Sequence, residues 1–284
     1  VMTVFMERGS CVKLRLFQRL LYPKVRLLNL PMKRLPTLLK PLRNDRLAVL
    51  ALIAASWLSV LRAQTSVPLP HRELRGSWIA TVHNINWPSQ PGLPIAQQQA
   101  ELKRLIQSAH DHGLNCLIFQ VRPAADALYE SKIEPWSCYL SGLMGLAPSP
   151  KWDPLEFAIK EAHQHGMELH AWFNPYRARH TDAKSPLAKS HIARTNPSLV
   201  KPYAGYLWMD PGEPTVRART LRVVLDVVKR YDVDGIHIDD YFYPYPENDR
   251  RGRAIAFPDD RSWKRYRREG GELSPEQIHA LMAA

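Results

Sequence analysis

The chain has 284 residues, of which 45% are hydrophobic and 9% aromatic, enough for one large α/β domain or two small ones. Its net charge of +12 is concentrated in residues 1–63, which hold 12 Lys or Arg against Glu7 and Asp45. Residues 64–284 hold 27 basic and 25 acidic side chains, so this region lacks the strongly basic balance of a nucleic-acid-binding domain. We therefore expect no nucleic-acid partner.

The N-terminal region has the pattern of a targeting segment. Residues 47–61 form an apolar run of 15 residues behind Arg43 and Arg46, which is typical of a secretory signal. A membrane-spanning helix needs roughly 20 apolar residues. We expect residues 1–63 to be an extension with a signal peptide or an uncleaved anchor, and residues 64–71 to be a linker. The protein is then secreted or periplasmic, and it meets a membrane only through this segment if the segment stays uncleaved.

Strands and helices alternate from Arg75 onward. Short apolar stretches predict strands at residues 76–82, 115–121, 167–173, 206–210 and 233–239. Helical periodicity predicts helices at residues 95–112, 154–165, 214–231 and 274–284. The second of these helices has the clearest boundaries, with Asp153 as N-cap, Pro154 at the first position and Gly166 as the stop.

This alternation predicts a parallel sheet covered by helices. An open doubly wound sheet and a (β/α)8 barrel both fit, but no Gly-x-Gly-x-x-Gly follows the first strand as a dinucleotide-binding fold requires. Polar and aromatic residues instead follow several strands, as at the active-site face of a barrel. We expect an α/β fold, a (β/α)8 TIM-barrel domain over residues 72–284. About five of eight βα units are visible, so the barrel is incomplete at the C-terminus.

Two adjacent acids, Asp239 and Asp240, stand at the end of the last predicted strand. Because strand side chains alternate, His237 and Asp239 share one face, directed toward the barrel axis, while Ile236 and Ile238 share the other. A buried acid is costly unless it is paired or used, so a functional role is expected. A turn-capping role, or pairing with Arg122 or Arg177, is the structural alternative.

Aromatic rings and planar polar groups near the predicted strand ends suit a carbohydrate cleft, in which rings stack on sugars and polar groups bind hydroxyls. Core packing is the alternative for each ring. Metal and cofactor signals are weaker: no His-Glu-x-x-His occurs, and neither does a Gly-x-Ser-x-Gly elbow or a phosphate-binding loop. We therefore predict no metal site and no cofactor. Cys116 and Cys138 either form one disulfide or remain two thiols.

Five motifs in series resemble the bacterial glycosyl-hydrolase-like 10 family of secreted or lipoprotein (β/α)8 proteins. They are RGSWIATVHNINWPS, QVRPAADALYESKIEPWSCYLSG, AWFNPYRAR, LWMDPGEPTVR and VDGIHIDDYFYPYP. The resemblance runs from about Arg72 to about Ser274. The family barrel continues through three further strands, and it commonly carries Asn at the position of Asp210.

The resemblance implies a glycosidase that uses two carboxyl groups on a bacterial polysaccharide, with peptidoglycan glycan strands as the expected substrate. The expected first catalytic acid is Asp239, followed by Asp240 as its alternative. The second acid is Asp210 or Glu213, or it lies on the missing strands. The expected substrate-binding residues are Gln120, Arg122, Asp126, Asn174, Arg177, His237, Tyr241 and Trp87. Two other functions remain open: a non-catalytic glycan-binding or truncated inactive barrel, and a metal-dependent barrel hydrolase that uses His170, His237 and the acids.

Overall fold

A computed structural model of the chain describes residues 2–5, 73–239, 241–274 and 276–278. Apart from Glu73, these residues belong to one compact unit. The predicted signal segment and linker lie outside the described residues. No helix in the described ranges combines the length and the apolar character that a membrane span requires.

The described residues form eight strands and six α-helices. The strands are β1 (Met2–Phe5), β2 (Gly76–Ile79), β3 (Cys116–Arg122), β4 (Glu168–Phe173), β5 (Arg177–Arg179), β6 (Val200–Tyr203), β7 (Tyr206–Met209) and β8 (Gly235–Ile238). The helices are α1 (Ile95–Asp111), α2 (Cys138–Ser141), α3 (Pro154–Gln164), α4 (Ile192–Thr195), α5 (Pro214–Arg230) and α6 (Asp260–Arg268). Two short 3-10 helices, Val82–Asn84 and Pro197–Leu199, lie between them.

The main sheet has the strand order β1-β8-β4-β3-β2. β2, β3, β4 and β8 run parallel, and β1 pairs antiparallel with β8 at one edge. The α/β class and the parallel sheet predicted from the sequence are thus confirmed. β2 ends at Ile79, earlier than predicted, because the chain turns into the first 3-10 helix, where His83 and Asn84 have positive φ angles of 56° and 53°.

Helix positions agree with the apolar periodicity of the sequence. α1 buries Gln98, Leu102, Ile106 and Ala109, which are three or four residues apart and therefore share one face. α3 begins as predicted, with the Asp153 side chain accepting from the backbone N–H groups of Leu155 and Glu156. Of the predicted helix at residues 274–284, residues 276–278 are helical and most of the others lie outside the described residues.

The two faces of the parallel sheet carry different side chains. Leu117, Phe119, Leu169, Ala171 and Ile236 are buried on one face, near α1 and α3. The opposite face carries Trp78, Ile118, His170, Trp172 and His237, and Trp78 is 38% exposed there. The register places His237 opposite Trp172, which confirms the predicted alternation at the end of β8.

The predicted fourth barrel strand is wrong. β7 is the central strand of a separate antiparallel sheet with the order β5-β7-β6. A tight hairpin joins β6 to β7, because Ala204 and Gly205 both have positive φ angles, 44° and 85°. β8 therefore lies directly beside β4, and the described parallel sheet contains four barrel strands rather than five.

Candidate active site

Asp239 lies just beyond the end of β8, on the face that carries His237. Trp172 Nε1 donates to Asp239 Oδ2 at 3.2 Å, and Asn174 Nδ2 donates to the same oxygen at 3.0 Å. Trp172 and Asn174 are two residues apart at the end of β4, so the neighbouring strand supplies both donors. The structure thus brings together two of the predicted residues, Asp239 and Asn174, and holds the carboxyl group by one oxygen.

The second carboxylate oxygen of Asp239 lacks the hydrogen bonds that hold the first. Asp239 Oδ1 is buried and has no hydrogen-bond partner among the described residues. Burial raises the pKa of Asp239 above its ordinary value, while the charge of Arg177 and the hydrogen bonds from Asn174, Trp172 and the Tyr241 backbone act in the opposite direction. The carboxyl group is therefore held in place within a largely buried cluster.

Arg177 forms the wall beside this carboxyl group. Its backbone N–H donates to Asn174 Oδ1 at 2.9 Å, which fixes the Asn174 amide that in turn donates to Asp239. The guanidinium carbon of Arg177 lies 5.2 Å from the centroid of the Tyr241 ring and 5.9 Å from that of Trp208. Tyr241 also packs against Trp208, with ring centroids 5.2 Å apart. This cluster combines a carboxyl group, an amide, a guanidinium group and two aromatic rings. Such a set of polar and flat groups is suited to binding a hydroxylated substrate.

Arg122, predicted to bind sugar, is instead enclosed in the protein. Its Nε and Nη2 donate to the two carboxylate oxygens of Glu134, each at 2.6 Å, and both side chains are fully buried. Arg122 Nη1 donates to the backbone oxygens of Asn174, at 2.5 Å, and Pro175, at 3.1 Å. Direct contact with a sugar does not fit this burial. Arg122 instead supports the segment that carries Asn174.

Gln120 and Asp126 are also fully buried. Gln120 Oε1 accepts from the backbone N–H groups of Thr81 and Val82, each at 2.9 Å, while Gln120 Nε2 has no partner among the described residues. Asp126 Oδ1 accepts from Ala124 N at 2.9 Å, and Asp126 Oδ2 has no such partner. Burial raises the pKa of Asp126 to about 6. Both residues shape the loops at the strand ends.

Trp87, predicted to bind substrate, is buried in the described structure. Trp87 is fully buried and its Nε1 donates to the backbone oxygen of Gln98 in α1 at 2.9 Å. Its ring packs against Phe119, on the helix-covered face of the sheet, and against Trp152. Trp87 is therefore a core residue, because the chain after β2 folds back toward α1 instead of continuing along the strand.

Asp210, another predicted acid, has its own hydrogen-bond partners outside the Asp239 cluster. Asp210 is fully buried and accepts from Ser262 Oγ in α6, with distances of 3.1 and 2.9 Å to its two oxygens, and from Gly212 N at 2.8 Å. Burial raises the pKa of Asp210. Glu213, the alternative, pairs with Arg265 Nη1 at 3.0 Å. Asp240 lies outside the described residues.

His237 faces the same side as Asp239 but is buried deeper in the sheet. Its Nε2 lies 2.8 Å from His170 Nδ1, and it is only 2% exposed. Burial, followed by the nearby His170, lowers the pKa of His237 to about 4, so the ring is neutral at physiological pH. His237 therefore belongs to a buried histidine pair beneath the Asp239 cluster.

Sequence comparison identifies the family. A sequence model described as Glycosyl hydrolase-like 10 matches residues 73–279, which include the four parallel strands, the Asp239 cluster and α6. The chain belongs to this family. The resemblance of the five motifs is thereby confirmed.

Two relatives of this glycosyl hydrolase-like 10 protein align with most of its length. Glycosyl hydrolase YngK of Bacillus subtilis is 43% identical over 197 residues, which cover 69% of this chain and 37% of that protein. Glycosyl hydrolase DigH of Escherichia coli K12 is 34% identical over 220 residues, which cover 68% of this chain and 48% of that protein. The chain thus spans less than half the length of either relative.

Similarity to solved structures is weak. A hypothetical protein from Ruminiclostridium thermocellum aligns with a TM-score of 0.39 and 14% identity over 65% of this chain and 83% of that one. The α-galactosidase TtGalA of Thermus thermophilus aligns with a TM-score of 0.37 and 13% identity over 61% of this chain and 32% of that one. Both TM-scores lie below 0.5.

Three residues that shape this glycosyl hydrolase-like 10 site were not among the predicted site residues: Trp172, Glu134 and Ser262. A usable signal existed for Trp172, because it lies two positions before Asn174 and thus on the same face of the strand. Glu134 and Ser262 lie 12 and 52 residues from the partners Arg122 and Asp210, with no periodic pattern between them. Only the folded chain identifies those pairs.

Proposed function

We propose that this chain supplies Asp239 as a catalytic carboxyl group of a glycoside hydrolase. The observation that carries the proposal is the geometry of that group, with Oδ2 held by Trp172 and Asn174 and Oδ1 without a partner among the described residues. Glycoside hydrolysis requires a positioned carboxyl group that exchanges a proton or forms a bond at the anomeric carbon. Family membership supports the same class of reaction.

The neighbours of Asp239 have distinct proposed roles. Asn174 and Trp172 position the carboxyl group, while the Tyr241 ring and the Arg177 guanidinium form a surface for a sugar ring and its hydroxyls. Arg122 is a positioning residue, since it holds the backbone of Asn174 and Pro175 through Nη1.

A second carboxyl group completes the proposed mechanism. Retaining glycosidases hold the pair about 5 Å apart, and inverting ones about 6.5 to 9.5 Å apart. Asp240 is adjacent in sequence, and Asp210 is held by Ser262 and Gly212. Asp210 and Glu213 are the proposed candidates for this second group, and Asp240 is the alternative to Asp239 for the first.

We further propose that the substrate is a bacterial polysaccharide, with the glycan strands of peptidoglycan as its first candidate. The apolar run at residues 47–61 behind Arg43 and Arg46 supports export to the compartment where such glycans lie. Secretion or periplasmic localisation is part of this proposal.

Glycan hydrolysis by matched variants tests the proposal. Purified peptidoglycan is incubated with wild-type protein, with Asp239→Asn and with Asp232→Asn, and new reducing ends are counted. Asp232 is a suitable control because its side chain is 73% exposed at the opposite end of β8. We expect Asp239→Asn to lower the rate about 10²- to 10⁴-fold with substrate binding retained, and Asp232→Asn to match wild type.

Two outcomes count against the proposal. Equal turnover by wild type and Asp239→Asn removes Asp239 from the mechanism. Equal glycan binding by wild type and Asp239→Asn, with no turnover by either, favours a glycan-binding module.

A further inference from the structure

Three side chains with metal-binding atoms converge at the opposite end of the parallel sheet from Asp239. Cys116 is the first residue of β3, Glu168 is the first residue of β4, and His170 follows two positions later. Cys116 and Glu168 are direct partners in the parallel register. One potential ligand atom from each of the three lies within 4.8 Å of the other two.

The sheet makes this arrangement rigid. All three side chains lie on the same face, because Cys116 and Glu168 pair directly and His170 is two residues further along its strand. The His170 ring packs against the backbone of β8, where a Cβ atom on Gly235 would lie 2.7 Å from the ring. The neighbouring strand therefore needs glycine at this position, and that packing fixes the ring.

The electrostatics of the cluster favour a cation. The carboxylate of Glu168 lies beside Cys116, its direct partner in the register of β3 and β4, and its negative charge attracts a metal ion. A bound divalent cation displaces the thiol proton to solvent and stabilises the thiolate that remains.

His170 can also present the correct nitrogen. Its Nδ1 lies 2.8 Å from His237 Nε2, and its Nε2 lies 3.1 Å from Glu168 Oε2. A metal ion bound between His170 Nε2 and Glu168 Oε2 replaces the hydrogen bond between these two atoms, and His170 Nδ1–H then donates to His237 Nε2. Metal-bound histidines almost always donate their other ring N–H in this way. The buried histidine pair then acts as the outer support of the site.

We propose that Cys116, Glu168 and His170 bind a divalent transition metal ion of the zinc class. Thiolate, imidazole and carboxylate are all zinc ligands, and three of them leave one tetrahedral position for water. Glu168, whose side chain is 38% exposed, gives the ion a path from solvent. The site lies at the end of the sheet away from Asp239, where a bound ion cross-links β3 and β4.

Cobalt titration tests the site, because Co²⁺ bound to a thiolate gives an intense near-ultraviolet charge-transfer band. The protein carries Cys11→Ser, so that Cys116 and Cys138 are its only thiols, and it is first freed of metal by chelation. We expect one equivalent of Co²⁺ to produce the band and Zn²⁺ to displace it. Cys116→Ser should abolish the band, whereas Cys138→Ser, which removes the other buried thiol, should retain it.

Glu168→Gln provides a second variant that keeps the thiolate. It should retain the band but weaken Co²⁺ binding by at least about tenfold, because the anionic ligand is lost. Circular dichroism confirms that each variant is folded. Absence of the band in folded protein with intact Cys116 overturns the proposal, and so does a band that survives Cys116→Ser or unchanged affinity in Glu168→Gln.

Discussion

At the scale of single residues, two buried acids after β3 differ in how their charge is balanced. Glu134 receives two charge-assisted hydrogen bonds from Arg122, so its charge is paired inside the protein. Among the described residues, Asp126 has no cationic partner of this kind: it accepts from Ala124 N at 2.9 Å, and a hydrogen bond from the Ser137 side chain lowers its pKa without offsetting the effect of burial. The raised pKa of Asp126, about 6, measures the cost of holding that charge in a fully buried position.

Asp126→Asn should therefore stabilise the protein at neutral pH. Because the folded-state pKa of about 6 exceeds the ordinary aspartate value of 3.8, the native state binds more protons between these values, and stability falls as pH rises through that window. The pKa difference of about two means that ionisation of Asp126 lowers the free energy of unfolding by about 3 kcal/mol. The neutral asparagine amide does not ionise, so the variant keeps this stability. Urea unfolding should show no gain for Asp126→Asn below pH 4 and the full gain above pH 6.

The exposed Asp232→Asn variant is the control for this measurement. A gain that is equal at all pH values would show that the amide improves packing or hydrogen bonding rather than removing a charge. A net loss above pH 6 would show that the carboxylate has a favourable partner in solution.

At the scale of elements, the start of α3 ties three parts of the chain together through one side chain. Asp153 Oδ1 caps the helix by accepting from Leu155 N and Glu156 N, at 3.0 and 3.1 Å. Asp153 Oδ2 accepts from Glu130 N at 2.9 Å and from Tyr231 Oη at 2.6 Å. The cap thus fastens the loop after β3 and the end of α5 to the start of α3.

Asp153→Ala should lower the free energy of unfolding by about 3 kcal/mol. Loss of the helix cap costs about 0.5 to 2 kcal/mol. Glu130 N and Tyr231 Oη each lose a hydrogen-bond acceptor, which adds about 1 kcal/mol per group. Asp153→Ser separates the two contributions, because serine caps well but is too short to reach Tyr231. Thermal and urea unfolding should rank the wild type above the Ser variant and the Ser variant above Ala. Equal losses for Ser and Ala would assign the whole effect to the link with Glu130 and Tyr231.

Elements that depend on residues close together in the sequence are predictable, whereas elements that depend on distant contacts are not. The start of α3 was correct because Asp, Pro and the apolar periodicity lie within one turn of helix. β7 was assigned to the wrong sheet because its antiparallel neighbour depends on the turn at Ala204, a residue with no preference for positive φ. At the site, strand alternation placed Asp239 correctly, whereas the pairing of Arg122 with Glu134 depends on loop geometry that no local pattern encodes.

At the scale of the whole molecule, the two described thiols test whether sheet and loops unfold together. Cys116 lies at the start of β3 and Cys138 at the start of α2, and both are buried and unpaired, so the thiol alternative to a disulfide holds in this structure. The motif from Gln120 to Gly142 connects them and contains the Arg122–Glu134 ion pair. A domain of this kind is expected to unfold cooperatively when its core is continuous.

We therefore predict that Cys116 and Cys138 become reactive in the same unfolding transition. Burial raises the pKa of both thiols to about 12, and only thiolates attack a disulfide reagent, so neither should react in the native state. In a Cys11→Ser background with chelator present, thiol labelling at increasing urea should give one midpoint, shared with tryptophan fluorescence. Single Cys116→Ser and Cys138→Ser variants assign each signal. Labelling of Cys138 at lower urea than Cys116 would contradict the prediction, since it would mean that α2 and its loop open while the parallel sheet stays folded.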